Sequence, residues 1–318
     1  MAGQAGGEIR RVQRLGSSSL VVTLPKSWVK SMNLKPGDPV MVVVEGRGLR
    51  IYPVEGSGGG GGGASRISGL TAGEARRFLW CSYVIGPDEI VVDGIGDDVY
   101  ESLREASLVL VGVDISREGD RARVSILVDP AKLDPKSTIR GIAGDLERVV
   151  RLLAEAIRGK GENGAVERMR VSMQRSLALV ERGLVAALTT QPSSQRSRHY
   201  VNMMIAANFL GLAASSLLDA ANTAIELNVK SERLASTIEP LSKLALEAGL
   251  NVASPSLKRS RELLDTIQDL KDRLSKEIVD ISMSKEEAVV LAMVLEALKH
   301  LYVASTLCYC TARILQHH

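Results

Sequence analysis

Six consecutive glycines, Gly58 to Gly63, with Gly56-Ser57 just before them, divide this 318-residue chain more sharply than any other feature. A run without side chains has nothing to bury, and it gives up more backbone freedom on ordering than any other residue type. The residues on its two sides are therefore expected to fold as separate bodies joined by a flexible tether, reaching about 15 to 20 Å as a random coil. The tether resembles a phosphate-cradling loop only in its glycines, since it lacks the Gly-Lys-Ser/Thr ending and the strand-to-helix setting of such loops. The expected divisions are a head at 1–55, a Gly-rich linker at 56–65, a small α/β connecting piece at 66–135 and a helical domain at 136–318. A hydrophobic content of 45% is enough for substantial cores in such a chain.

The head reads as a small β-rich module. Alternation predicts a strand from Glu8 to Arg14, a Gly-Ser turn at Gly16 to Ser19 and a second strand from Leu20 to Leu24. Pro25 then opens a short helix with an apolar side of Trp28, Val29 and Met32, closed by Leu34. Lys35-Pro36-Gly37-Asp38 is turn chemistry. A hairpin follows, with strands at Val40 to Val44 and Leu49 to Pro53 around a Gly46 to Gly48 turn.

The set Leu15-Gly16, Ser19, Thr23-Leu24-Pro25-Lys26, Trp28, Leu34, Gly37-Asp38, Val40 and Leu49 to Pro53 resembles the AbrB/MazE-like (SpoVT/AbrB) swapped-hairpin family. That resemblance implies two chains exchanging hairpins to build one small all-β barrel, with basic residues of the first strand and its loop on DNA. Physics points the same way: so short a segment buries little surface alone, and pairing its strands across two chains covers their open edges.

Charge marks the same segment. Residues 1–53 carry eight Lys or Arg against three Asp or Glu, a net +5, whereas the whole chain is only +3. The basic excess is local, as in an electrostatic footprint for phosphate. Arg10, Arg11, Arg14 and Lys26 are the residues expected on DNA, with Ser17, Ser18 and Ser19 as further donors to phosphate oxygens. Two bland readings stay open beside this one. Arginines also shield an exposed strand edge, and a Gly-Ser turn needs no ligand.

Beyond the tether, the pattern predicts a helix at Ala72 to Ile85, a strand at Glu89 to Asp93 and a helix at Asp97 to Ala106. A hairpin of Ser107 to Ile115 with Ala122 to Val128 follows. The Gly-x-Gly of Asp93-Gly94-Ile95-Gly96-Asp97 is flanked by acids and reads as a strand-to-helix turn. From Thr138 the chain is helical. Ile139, Ile142, Leu146, Val149, Leu153 and Ile157 form one core stripe, and Val166, Met169, Met173, Leu177, Val180, Leu184 and Leu188 another. Four further helices are expected at 195–228, 231–248, 257–281 and 285–315, with a break at Asn251 to Pro255. Together they make an all-α bundle of two three-helix repeats. The run Met203 to Leu218 approaches the length of a membrane span, but its Asn, Ser, Ala and Gly suit the centre of a bundle better than lipid. No span is expected.

Two three-helix sets after such a head, together with Tyr83-x-x-Gly86-x-x-x-Ile90-x-Val92 and Val111-Gly112-Val113-Asp114-Ile115, resemble the phosphate-uptake regulator (PhoU) family in its archaeal-type fusion with a DNA-binding head. The resemblance implies a role in phosphate homeostasis and a phosphate transporter component as partner. PhoU proteins commonly carry Glu-x-x-x-Asp-x-x-x-Asn on the third helix of each repeat, a spacing that places two carboxylates on one face for metal. The matching positions here are Ser215, Asp219 and Thr223, and Tyr302, Thr306 and Cys310. One carboxylate in place of four predicts that the metal cluster is missing, leaving Asp219 with Glu226 as a weak single-ion pair at most. Asp265 and Asp269 share the spacing but stand opposite Ile267 and should face solvent.

No enzyme is expected, since His199 and His300 lie far apart, His317 and His318 form the tail, and no nucleophile stands in an activating setting. No cofactor is expected either. Cys81, Cys308 and Cys310 make no even disulfide framework, and no signal pattern precedes the Gly-rich start, so a reducing cytoplasm is the expected location. Cys308 and Cys310 read as two packed helical thiols. The sequence therefore points to a homodimeric, cytoplasmic, DNA-binding regulator of phosphate uptake. The alternative is a PhoU-like interaction protein whose head serves only to dimerise.

Overall fold

The computed structural model of the protein describes residues 9–16, 19–45, 48–53, 65–190, 194–278 and 283–315. The chain divides into two compact units, Met1–Gly63 and Ala64–His318. Residues 56–64 of the expected linker lie outside the described residues, as do Glu8, Ser17, Ser18, Gly46, Arg47, His317 and His318.

In the first unit, β1 (Gln13–Leu15) pairs antiparallel with β2 (Ser19–Val21). Both strands are shorter than the alternation predicts. Gly16 takes a left-handed φ of +67° between them, a conformation that glycine adopts at little steric cost. Helix α1 (Lys26–Ser31) is capped by Pro25, whose missing N–H is no loss in a first turn. The helix stops before Leu34. Asn33 turns to a φ of +50° and the Leu34 N–H returns to the Val29 carbonyl at 3.0 Å. The Asp38 carboxylate accepts the Lys35 N–H at 2.8 Å, closing the turn that leads into β3 (Val40–Glu45). Strand β4 (Gly48–Pro53) completes a second antiparallel hairpin, with Val42 opposite Ile51. Among the described residues the two hairpins are separate two-stranded sheets, and no barrel closes within them.

In the second unit, β5 (Ser65–Ser68) runs parallel to β6 (Glu89–Asp93), and α2 (Ala72–Ile85) connects them. The pattern misses β5, four residues that begin at the last position of the expected linker and are too short to show a period. Thr71 and Glu74 close a capping box at the start of α2. Gly94, with a φ of +70°, turns the chain from β6 into α3 (Asp97–Ser107). The expected long strand from Ser107 is corrected. Residues 107–112 finish α3 and turn at Gly112, so that β7 is Val113–Glu118 and pairs with β8 (Arg121–Ile126). The sheet order is β5-β6-β8-β7. Its inner face, with Ile90, Val92, Ala122, Val124 and Ile126, packs with Leu79 and Tyr83 of α2 and Val99 and Leu103 of α3. The alternate positions carry ion pairs, Arg121 with Asp93 and Arg123 with Glu89.

A 3-10 turn at Pro130–Lys132 leads to the helices. Asp134 caps α4 (Pro135–Ile157), accepting the Lys136 N–H at 3.1 Å. Then come α5 (Asn163–Thr190), α6 (Ser194–Glu226), α7 (Glu232–Ile238), α8 (Pro240–Ala253), α9 (Leu257–Ile278) and α10 (Lys285–Leu315). The expected helix at 231–248 is two helices, because Pro240 supplies no N–H to continue the ladder of α7. The break expected at Asn251 starts later. Asn251 lies inside α8, fully buried, and its side chain donates to the Ser260 hydroxyl at 2.9 Å and accepts the Ser256 N–H at 3.0 Å. Within α8, Gly249 brings the helix against α4, where a Cβ would meet that of Ala143 at 2.5 Å.

One core joins α4 to α10, and the predicted α4 stripe from Ile139 to Ile157 is buried within it. The second core, in the α/β piece, includes Ala178 of α5. Arg182 of the same helix ties the two layers. It is almost wholly buried, donates to the Tyr83 carbonyl at 2.6 Å and the Val128 carbonyl at 3.3 Å, pairs with Asp88, and lies over the Tyr83 ring. The α/β piece and the helices form one body through α5. Among the described residues, α6 and α10 are long and apolar enough to cross a membrane by length and composition, yet 44% of each apolar window is buried inside the protein. They pack against each other, and the Asn202 amide of α6 donates to the Thr311 hydroxyl of α10 at 3.1 Å.

Candidate nucleic-acid interface

Among its described residues, the first unit exposes basic side chains and leaves many of its hydrophobics uncovered. Arg10, Arg11, Arg14, Ser19 and Lys26 are all exposed. Arg10 and Arg11 lie just before β1, Arg14 within it, and Lys26 opens α1 with Lys30 one turn later on the same exposed face. Cross-strand register separates two of these candidates. Arg14 stands opposite Leu20, whereas Ser19 stands opposite Leu15 on the other face of the hairpin. The hairpin does not bring Arg14 and Ser19 to one surface. Ser17 and Ser18 lie outside the described residues.

A guanidinium on a flexible stem suits phosphate, offering parallel N–H donors and a charge that does not titrate near neutrality. Such contacts hold a protein on a nucleic-acid backbone without reading its sequence. Asp38, one of the three acids among residues 1–53, is engaged with the Lys35 backbone.

The apolar residues tell of a second requirement. Ile9, Val12, Leu15, Leu20, Met41, Val42, Val44 and Leu49 are each more than half exposed, and none of the unit's residues with an assigned burial is buried. Each such side chain contributes about 1.5 to 3 kcal/mol when it is covered. Left as isolated hairpins, these strands are marginal in water. A surface of this kind marks an interaction site.

The other candidates are dispersed. Asp219 pairs with Arg170 at 2.8 Å, and Glu226 is exposed two turns further along α6. Among the described residues no group of three His, Cys, Asp or Glu stands close enough to hold a metal ion. Asp265 and Asp269 face solvent on either side of the buried Ile267. The expectation of two packed thiols is half corrected. Cys308 is buried, and burial pushes its thiol up to about 12, but Cys310 is exposed. His199 lines a small cavity with Cys308 and Asn202, and its Nδ1 is buried without a hydrogen-bond partner. Burial holds its imidazole below the ordinary value, and Lys136 adds to the effect. His300 lies instead beside Glu296, its Nε2 3.6 Å from a carboxylate oxygen.

Arg182 was not legible as a buried residue. An arginine in a helical stripe reads as surface, and only the convergence of two backbone carbonyls from the α/β piece gives it a place inside.

Residues 13–58 match the family model described as antidote-toxin recognition MazE, bacterial antitoxin. The matched segment contains β1 to β4, so the N-terminal part carries an AbrB/MazE-like domain ahead of a mostly helical body. No curated protein and no solved structure matches the chain.

Proposed function

We propose that this chain is a homodimeric DNA-binding transcriptional regulator, with the head on DNA and the helical body as sensor or docking platform. The observation that carries the proposal is the pairing of exposed basic residues with an uncovered apolar surface in the first unit. A second chain supplies what the hairpins lack, in an exchanged-hairpin barrel of the kind the AbrB/MazE resemblance implies. Two heads then present Arg10, Arg11, Arg14 and Lys26 twice about a two-fold axis, which favours a two-fold related DNA site.

In this reading the body is PhoU-like, built of two three-helix repeats in which α7 and α8 count as one interrupted helix, and it links phosphate status to the head through a transporter component. The protein works without enzymatic chemistry, in the cytoplasm, and α6 and α10 are bundle helices rather than spans. Asp219 pairs with Arg170, and the other positions of the family's motif carry Ser215, Thr223, Tyr302, Thr306 and Cys310, which supports a body that works without the family's metal cluster.

The alternative keeps the dimer and drops the DNA, leaving an interaction protein docked on a transporter. The exposed apolar surface supports a partner chain in both. A pooled random duplex library at two salt concentrations separates them. Wild type is expected to enrich a two-fold symmetric sequence that a folded Arg10→Ala, Arg11→Ala, Arg14→Ala variant loses. A folded dimer that retains no DNA at low salt sinks the regulator reading and makes the head a dimerisation device.

A further inference from the structure

Helices α4 and α5 run antiparallel, tied where the Ser172 hydroxyl donates to the Asp145 carboxylate at 3.4 Å. Beside that tie a trough of about 360 Å³ opens between them. Its floor is apolar, made by Leu152, Ala165 and Met169. Its rim is cationic. Arg148 and Arg151 stand on the α4 side and Arg168 on the α5 side, against a single lining acid, Glu155.

The arginines are available. Arg168 is exposed and makes no ion pair or hydrogen bond among the described residues. Arg148 and Arg151 pair with Asp145 and Glu147, but their side chains are 63% and 67% exposed. The Arg151 pair lies on the helix surface and is worth about 1 kcal/mol or less, so its guanidinium turns to a better-placed carboxylate at little cost, whereas Arg148 stays on the buried Asp145 and offers the N–H donors that this pair leaves unused. The lining residues on α4, from Arg148 to Glu155, span about two helical turns. An open trough of that length suits the side chains of a second helix better than a compact small molecule, which needs enclosure.

We propose that this trough docks an acidic amphipathic helix of another protein, its apolar side chains on Leu152 and Met169 and its carboxylates on Arg148, Arg151 and Arg168. The inference gives a chemistry to the docking partner in the reading above and rests on that reading only for the body being a platform. It stands whether or not the head binds DNA, and retention of DNA by the same sample tests the head separately.

The test uses the full chain and a capped, fluorescein-labelled 16-residue peptide of Leu, Ala and Glu, with Leu at every third or fourth position. A control peptide carries Lys in place of every Glu. Anisotropy is expected to show saturable binding of the acidic peptide alone, weakened about tenfold or more by Arg168→Glu, as for a reversed charge in a close pair. Ala165→Phe, which fills the floor and leaves the charges in place, is expected to weaken it as well. Circular dichroism melts confirm that both variants fold. No saturable binding, equal binding of the Lys peptide, or unchanged affinity in either folded variant overturns the proposal.

Discussion

A buried guanidinium costs free energy unless its donors are met, and Arg182 meets them with two carbonyls and one carboxylate. Replacing it by Met keeps much of the bulk but leaves the Tyr83 and Val128 carbonyls without their partner. Arg182→Met is therefore expected to lower the stability of the body by about 2 to 3 kcal/mol, measured by urea denaturation. A loss below the error of the extrapolation would show that α5 holds the α/β piece by packing alone. His199 gives a prediction of opposite visibility, silent at neutral pH. Its folded imidazole lies below the ordinary 6.5, so the unfolded chain takes up the proton first. The stability it contributes is complete above about pH 6.5 and is lost as pH falls from there toward the folded value. Melting temperatures from pH 7 down to pH 5 should fall less steeply in His199→Gln than in wild type. Parallel curves would place the acid sensitivity elsewhere.

At the scale of elements, periodicity was a good guide to which face is buried and a poorer one to where an element stops. The bounds of α2 and β6 are those the pattern predicts, and so is the α4 stripe, because a continuous apolar face leaves a period to read. Where the pattern failed, something local replaced the period. Pro240 split a helix whose apolar stripe runs on through it, and Gly112 ended what reads as one long β run from Ser107. Asn251 reads as a breaker in sequence, yet its side-chain bonds across the α8 to α9 turn keep it inside the helix. The candidate site was legible in composition, as local charge, but not in geometry, since only the register shows Arg14 and Ser19 on opposite faces. Gly249 illustrates a further limit. Near a helix end it reads as a terminator, but its use is to admit the Ala143 backbone of α4, 2.7 Å from where a Cβ would stand. Gly249→Ala is expected to cost about 1 to 3 kcal/mol by overpacking against a neighbour that cannot rotate away. Gly211→Ala meets only the Leu177 side chain and should cost less. Equal losses in thermal melts would mean that α8 shifts freely along α4.

At the scale of the whole molecule, the two units are unequal in what they can do alone. Ala64–His318 holds two buried cores, whereas the described part of the head buries no hydrophobic residue. Sedimentation over a range of concentrations should show self-association that disappears when the chain begins at Ala64, with the helical circular dichroism signal retained. A monomer that stays folded in both parts would remove the need for a second chain. If each head makes about three phosphate contacts, a dimer makes about six, and log K should fall against log salt with a slope of about −5. A flat response would set aside phosphate contact. If the uncovered head completes itself only on meeting its twin, copy number becomes a signal. Halving the amount of chain lowers the assembled form more than twofold, so promoter occupancy would rise over a narrow window of expression, and the protein would count itself before it reports on anything else.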